Sequence, residues 1–135
     1  MKYNNEIIQF ITLFENLTRA KVKDCFFIED KLIFIINNGD IKKAVGRNGS
    51  NIKRIEAMIK KKIKVVEFND NITKFIRNFL YPLKPRNIKT ENNVVIIGAE
   101  SVGDKALLIG RNSKNLNNLK NTVKKYFDVA EIKIA

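Results

Sequence analysis

The 135-residue chain contains no histidine, which removes imidazole bases, imidazole metal ligands and most catalytic triads. It has one cysteine, Cys25, so it can form no internal disulfide and has no partner for a thiolate metal site; a reducing cytoplasm fits. Followed by Phe26 and Phe27, this cysteine reads as a core residue. Long apolar runs are missing too. The longest, Leu32 to Ile36, falls far short of the roughly 20 residues that span a bilayer, and the N-terminus lacks a signal peptide's apolar stretch. The expectation is a soluble, cytoplasmic protein with no membrane contact. Acidic residues are scarce: 14 against 26 Lys and Arg, for a net charge of +12. Residues 1–68 hold 14 basic and 8 acidic side chains and residues 69–135 hold 12 and 6, so each half is +6. An even split argues for two similar basic surfaces, the footprint of a nucleic-acid binder, rather than a basic tail on a neutral domain.

What the chain has instead is a repeat. Gly46-Arg47-Asn48-Gly49 and Gly110-Arg111-Asn112-Ser113 lie 64 positions apart, each entered from an apolar segment and followed by a helix-patterned one. Held at that offset without a gap, Ile52, Ile55, Ile59, Val65 and Glu67 meet Leu116, Leu119, Val123, Val129 and Glu131, and Lys60-Lys61 meets Lys124-Lys125. One small unit used twice accounts for the register, with domains over residues 1–68 and 69–135. Units this small bury only about 60% of their unfolded surface, which predicts that the halves gain stability by docking. The joint Asn69-Asp70-Asn71 has no Gly- or Ser-rich spacer, so the units should form one rigid body, with Asp70 placed to cap the next helix.

Each unit reads as α-β-β-α-α-β. Ile7, Ile8, Ile11, Phe14 and Leu17 recur at helical spacing over about residues 5–19. Cys25 to Ile28 and Leu32 to Ile36 read as strands of a hairpin turning at Glu29-Asp30-Lys31. Leu32 to Ile36 is apolar at every position, which implies cover on both faces, by its own helices and by the other repeat or a partner. A short helical turn over residues 41–45, the first loop, a helix over 50–62 and a strand over 63–68 complete the unit. In the second, Ile72, Phe75, Ile76, Phe79 and Leu80 form a helical stripe that Pro82 ends. Strands follow over 86–90 and 94–97, then 101–109 leading into the second loop, a helix over 114–126 and a strand over 129–134. Phe10, Phe14, Phe75 and Phe79 read as core, Glu29, Asp30 and Asp104 as turn or cap residues, and Lys60-Lys61-Lys62 and Lys124-Lys125 as helix-end cations. No catalytic residue, metal or cofactor is expected.

Gly46 and Gly49 allow backbone conformations closed to other residues and let another chain approach closely. Followed directly by a helix, they set free N–H groups and a positive dipole end against whatever lies there, which suits phosphate. Arg47 and Asn48 would sit at the tip, and Lys42, Lys43, Lys53 and Arg54 extend the positive edge. A glycine turn joining two helices is the plainer account; the basic setting, the apolar Ala44, Val45 and Ile52 around the loop, and its recurrence argue for more. No Lys-Ser or Lys-Thr pair follows the glycines, as a nucleoside-triphosphate loop requires.

The GxxG loop and the element order resemble the KH domain in its type II arrangement, implying an α+β fold (an α/β sandwich) of two tandem domains, each a three-stranded sheet covered by helices. KH loops clamp about four backbone nucleotides beside an apolar groove. More narrowly, residues 39–49, Asn51-Ile52-Lys53-Arg54, Val65-Val66-Glu67 and Phe75-Ile76-Arg77-Asn78 resemble the archaeal NusA-like transcription factors, over nearly the whole chain. The resemblance implies a monomeric, non-enzymatic factor that binds single-stranded RNA in transcription termination or antitermination with RNA polymerase. A KH-type assembly or processing factor acting on ribosomal RNA is the alternative. It further implies that Gly46, Arg47, Asn48 and Gly49, and Gly110, Arg111, Asn112 and Ser113, hold the sugar-phosphate backbone. Val45, Ile52, Ile109 and Leu116 would line the base grooves, with Lys53, Arg54 and Lys114 at the rims. Ser113 replaces the closing glycine, which puts backbone approach at the second clamp in question, although Ser113 could cap the following helix. Asn117 and Asn118 stand where the first helix has Lys53 and Arg54, so the first repeat should bind more strongly.

Overall fold

In the computed structural model, which describes residues 4–135, the chain forms two compact units divided between Asn69 and Asp70. The first runs α1 (Asn5–Thr18), β1 (Val22–Ile28), β2 (Lys31–Ile36), α2 (Ile41–Val45), a 3-10 turn (Arg47–Gly49), α3 (Ser50–Ile59) and β3 (Ile63–Glu67). The second runs α4 (Ile72–Leu80), β4 (Asn87–Glu91), β5 (Val94–Gly98), α5 (Val102–Ile109), a 3-10 turn (Arg111–Ser113), α6 (Lys114–Val123) and β6 (Glu131–Ile134). Each sheet has three strands, the middle one paired antiparallel to the strand before it and parallel to the one after the helices. This is the α+β fold read from the sequence, with mixed sheets and helices in the expected order. Among the described residues, no helix is long and apolar enough to cross a membrane.

Local chemistry sets the boundaries. Asn4 Oδ1 accepts the Ile7 N–H at 2.8 Å to start α1, and Arg19 ends it in a left-handed conformation with its N–H donated to Glu15 O. The α4 helix is capped by Asn71, whose Oδ1 accepts the Lys74 N–H at 3.1 Å, not by Asp70 as expected. Asn71 is the residue in the extended conformation that aims a cap side chain at the first turn. Ser101 caps α5 in the same way, its Oγ accepting the Asp104 N–H at 3.0 Å. Asn92 and Asn93, with φ of 52° and 64°, make the two-residue β4–β5 turn, a position that favours asparagine.

The first core gathers Phe14 from α1, Leu32, Phe34 and Ile36 from β2, Ala44 from α2 and Ile55 from α3, with Cys25 buried among them. Phe14 stacks on Phe34 with ring centroids 4.2 Å apart. Burial pushes the Cys25 thiol up to about 12, with the neighbouring Asp24 carboxylate adding to the rise. Ile33 and Ile35, on the opposite face of β2, are buried too, so the unbroken apolar run matches a strand buried on both sides. The β1 strand starts at Val22 rather than Cys25, because Val22 and Asp24 pair with Ile36 and Ile35 across a bulge.

The ungapped register breaks after the third helix of each unit. Residues 60–62 join α3 to β3, whereas residues 124–130 join α6 to β6, four more. Pairing confirms the slip: Glu67 lies opposite the last residue of β2, Ile36, while Glu131 lies opposite the first of β5, Val94. Val65 and Glu67 are therefore not the structural counterparts of Val129 and Glu131. The longer joint supplies Tyr126 and Phe127, whose rings lie 5.6 and 5.7 Å from that of Phe75 on α4. Accordingly α6 stops at Val123, short of the expected Tyr126, and the chain tightens into turns. The α3 helix likewise ends at Ile59, with Lys60 a left-handed cap, so Lys60-Lys61-Lys62 lie beyond its last turn.

Candidate nucleic-acid interface

Each glycine loop joins a short helix to a longer one. In the first, α2 carries Val45 at its end and α3 carries Ile52 in its first turn; both are half-buried, with Ile52 packed against the core. Arg47, Asn48, Lys53 and Arg54 are exposed around them, and Gly46 and Gly49 are half-buried. In the second, Ile109 and Leu116 are half-buried on α5 and α6, Gly110 is half-buried, and Arg111, Asn112, Ser113 and Lys114 are exposed. The fold thus brings each set of predicted residues into one helix–turn–helix segment, with the apolar members seated and the polar ones outward.

The two loops share one backbone. Gly46 and Gly110 have φ/ψ of 77°/171° and 77°/169°, and Asn48 and Asn112 have 56°/30° and 56°/33°. Gly49 at 74°/17° is matched by Ser113 at 60°/23°. Gly49 N–H donates to Gly46 O and Ser113 N–H to Gly110 O, both at 3.2 Å. The missing glycine therefore leaves the loop's shape unchanged. Sterics explain why. A Cβ at Gly49 would meet nothing within 4 Å, so a side chain there costs only left-handed strain, about 1–2 kcal/mol. A Cβ at Gly46 would come within 2.8 Å of Asn51 Cγ and 2.9 Å of Asn51 N, and at Gly110 within 2.7 Å of Asn115 Cγ and 2.9 Å of Asn115 N. The first glycine is required and the fourth is not. Ser113 makes no capping hydrogen bond, contrary to the compensation expected of it, because its left-handed backbone is not the extended one that aims a cap side chain.

Both α3 and α6 start without a side-chain cap, whereas α1, α4 and α5 have one. The first amide of each is donated within the turn instead, Ser50 N–H to Arg47 O and Lys114 N–H to Arg111 O, so what each helix start turns toward its loop is a positive dipole end with no capping side chain over it. The charge around them is unequal. Lys42 and Lys43 are exposed on α2, and Lys43 Nζ lies 3.3 Å from Asp40. The Lys21 N–H, and then Lys43, hold the Asp40 carboxyl below its usual range. At the matching places α5 exposes Ala106 and Leu107, and α6 has Asn117 and Asn118 where α3 has Lys53 and Arg54. The sequence reading gave no role to Asn51 and Asn115, although they too stand 64 apart. Asn51 Nδ2 donates to Lys43 O and Asn115 Nδ2 to Leu107 O, both at 2.8 Å. The repeat was the signal that could have found them.

A GxxG-type loop between two short helices, beside a three-stranded mixed sheet, is the hallmark of one class, and the KH-domain family profile matches residues 9–79. The chain belongs to the KH-domain family. It is similar to the probable transcription termination protein NusA of Methanococcus vannielii, 29% identical over 99% of this chain and 79% of that one. The protein of the same name from Halococcus morrhuae is 26% identical over 95% of this chain and 94% of its own. The crystal structure of APE1850 superposes with a TM-score of 0.74 at 27% identity, covering 98% of this chain and all of the other. The resemblance to archaeal NusA-like factors is thereby borne out.

Proposed function

We propose that this protein is a transcription termination or antitermination factor that binds single-stranded RNA through two backbone clamps, working alongside RNA polymerase. The observation that carries the reading is the duplicated loop, one left-handed backbone built twice, each copy opening onto a helix start that has no side-chain cap. Gly46 to Gly49 and Gly110 to Ser113 would hold sugar-phosphate. Bases would lie against Val45 and Ile52 in one groove and Ile109 and Leu116 in the other, with Lys53, Arg54 and Lys114 at the rims. The role in transcription rests on the archaeal relatives, both of which are named probable transcription termination proteins. In this reading the first clamp is the stronger because of its cations, Lys42, Lys43, Lys53 and Arg54, rather than because of its fourth glycine.

Paired substitutions test the ranking. Arg47→Asp with Asn48→Asp should weaken binding of a short unstructured RNA more than Arg111→Asp with Asn112→Asp, in variants whose circular dichroism is unchanged. The reverse order contradicts it. Crosslinking in cells followed by sequencing of the bound RNA tests the biological role. Nascent transcripts across many genes support a transcription factor, whereas a map confined to ribosomal RNA supports an assembly factor using the same surface.

A further inference from the structure

We infer that Asn51 and Asn115 are positioning residues, which set the geometry of the two clamps without touching the nucleic acid. The inference rests on the clamp reading above and deepens it. Helix α2 would next need an N–H for Lys43 O, and α5 one for Leu107 O, but both helices stop at a glycine. Gly46 N–H takes Lys42 O at 2.9 Å and Gly110 N–H takes Ala106 O at 2.8 Å, after which the chain turns away. The carbonyl one residue further on belongs to the helix end that no intrahelical donor reaches. Asn51 Nδ2 takes it in the first unit and Asn115 Nδ2 in the second, both at 2.8 Å.

Each amide thereby ties the first turn of the helix after the loop to the last turn of the helix before it. The bond is made to a main-chain oxygen, so it is the same in both units although the side chains above it, Lys43 and Leu107, have nothing in common. The loop also closes directly onto the amide, since a Cβ on Gly46 or Gly110 would lie 2.8 or 2.7 Å from the asparagine Cγ. The glycine and the asparagine form one device: the glycine lets the backbone approach, and the amide fixes how far the flanking helices open. A carboxylate in its place would have no donor for the carbonyl and would repel phosphate.

The test uses the full chain carrying Asn51→Ala or Asn115→Ala, with two readouts. Amide hydrogen exchange of the free protein reports the loop, and titration with a short unstructured RNA of mixed sequence reports binding. In Asn51→Ala, exchange over residues 46–50 should rise while β1 to β3 keep their protection, and affinity should fall about fivefold to tenfold, as for one hydrogen bond. Affinity that falls with loop exchange unchanged means that the amide contacts RNA itself, which overturns the inference. So does wild-type affinity in a variant whose loop exchanges faster. A wild-type chain that binds no RNA overturns the clamp reading and this inference together, an outcome distinct from either. If Asn51→Ala unfolds its unit, Asn51→Ser, which is too short to reach Lys43 O, and Asn115→Ala carry the same comparison.

Discussion

At the scale of single residues, backbone conformation decides more than side-chain identity. Ser113 and Gly49 adopt the same left-handed backbone, and only the serine carries its strain. Ser113→Gly should therefore stabilise the second unit by about 1 kcal/mol, read from the denaturant midpoint, and Gly49→Ser should cost the first unit a similar amount. Gly46→Ala should be far worse, since its Cβ would press on Asn51 N as well as on the asparagine side chain. Lys64 on β3 offers a pH test. Burial, with the nearby charge of Lys31, lowers its ammonium from 10.5 to about 8. Between those values the unfolded chain holds the extra proton, so stability rises with pH from about 8 to about 10.5. Denaturation midpoints across that range should show the rise in the wild type and a smaller one in Lys64→Met.

At the scale of elements, the order α-β-β-α-α-β, both loops and the half-buried apolar residues beside them were legible because each rests on local pattern. The unbroken apolar run of β2 announced burial on both faces. What escaped the sequence depends on contacts between elements. The seven-residue joint before β6 looked like more helix and an early strand, and its purpose appears only where Tyr126 and Phe127 meet Phe75. The start of β1 at Val22 follows from pairing with β2, which outweighs the poor strand preference of Asp24. Asn71 and Asp70 are equally good caps on paper, and only the extended backbone at Asn71 separates them. The stacked Phe14 and Phe34 join α1 to β2, both fully buried. Phe14→Ala should cost about 3–5 kcal/mol, a large share of what a unit this small possesses, so its thermal transition should fall sharply or vanish.

At the scale of the whole molecule, the proposed binding of RNA by both glycine loops of a basic protein requires an affinity set largely by phosphate neutralisation. Each phosphate engaged on a single strand contributes about −0.7 to the slope of log affinity against log salt. The double substitution at Arg47 and Asn48 should make that slope shallower, because it removes one cation and adds two anions at the tip of the more basic loop. The central claim is that RNA lies on both glycine loops, first on the more basic one. An amide chemical-shift titration of the full chain with a short unstructured RNA tests it directly. Residues 46–54 should shift at the lowest RNA concentrations and residues 110–116 at higher ones, with the outer strands unmoved. Shifts that bypass both loops, or none at RNA concentrations well above those that saturate other KH proteins, would contradict the account.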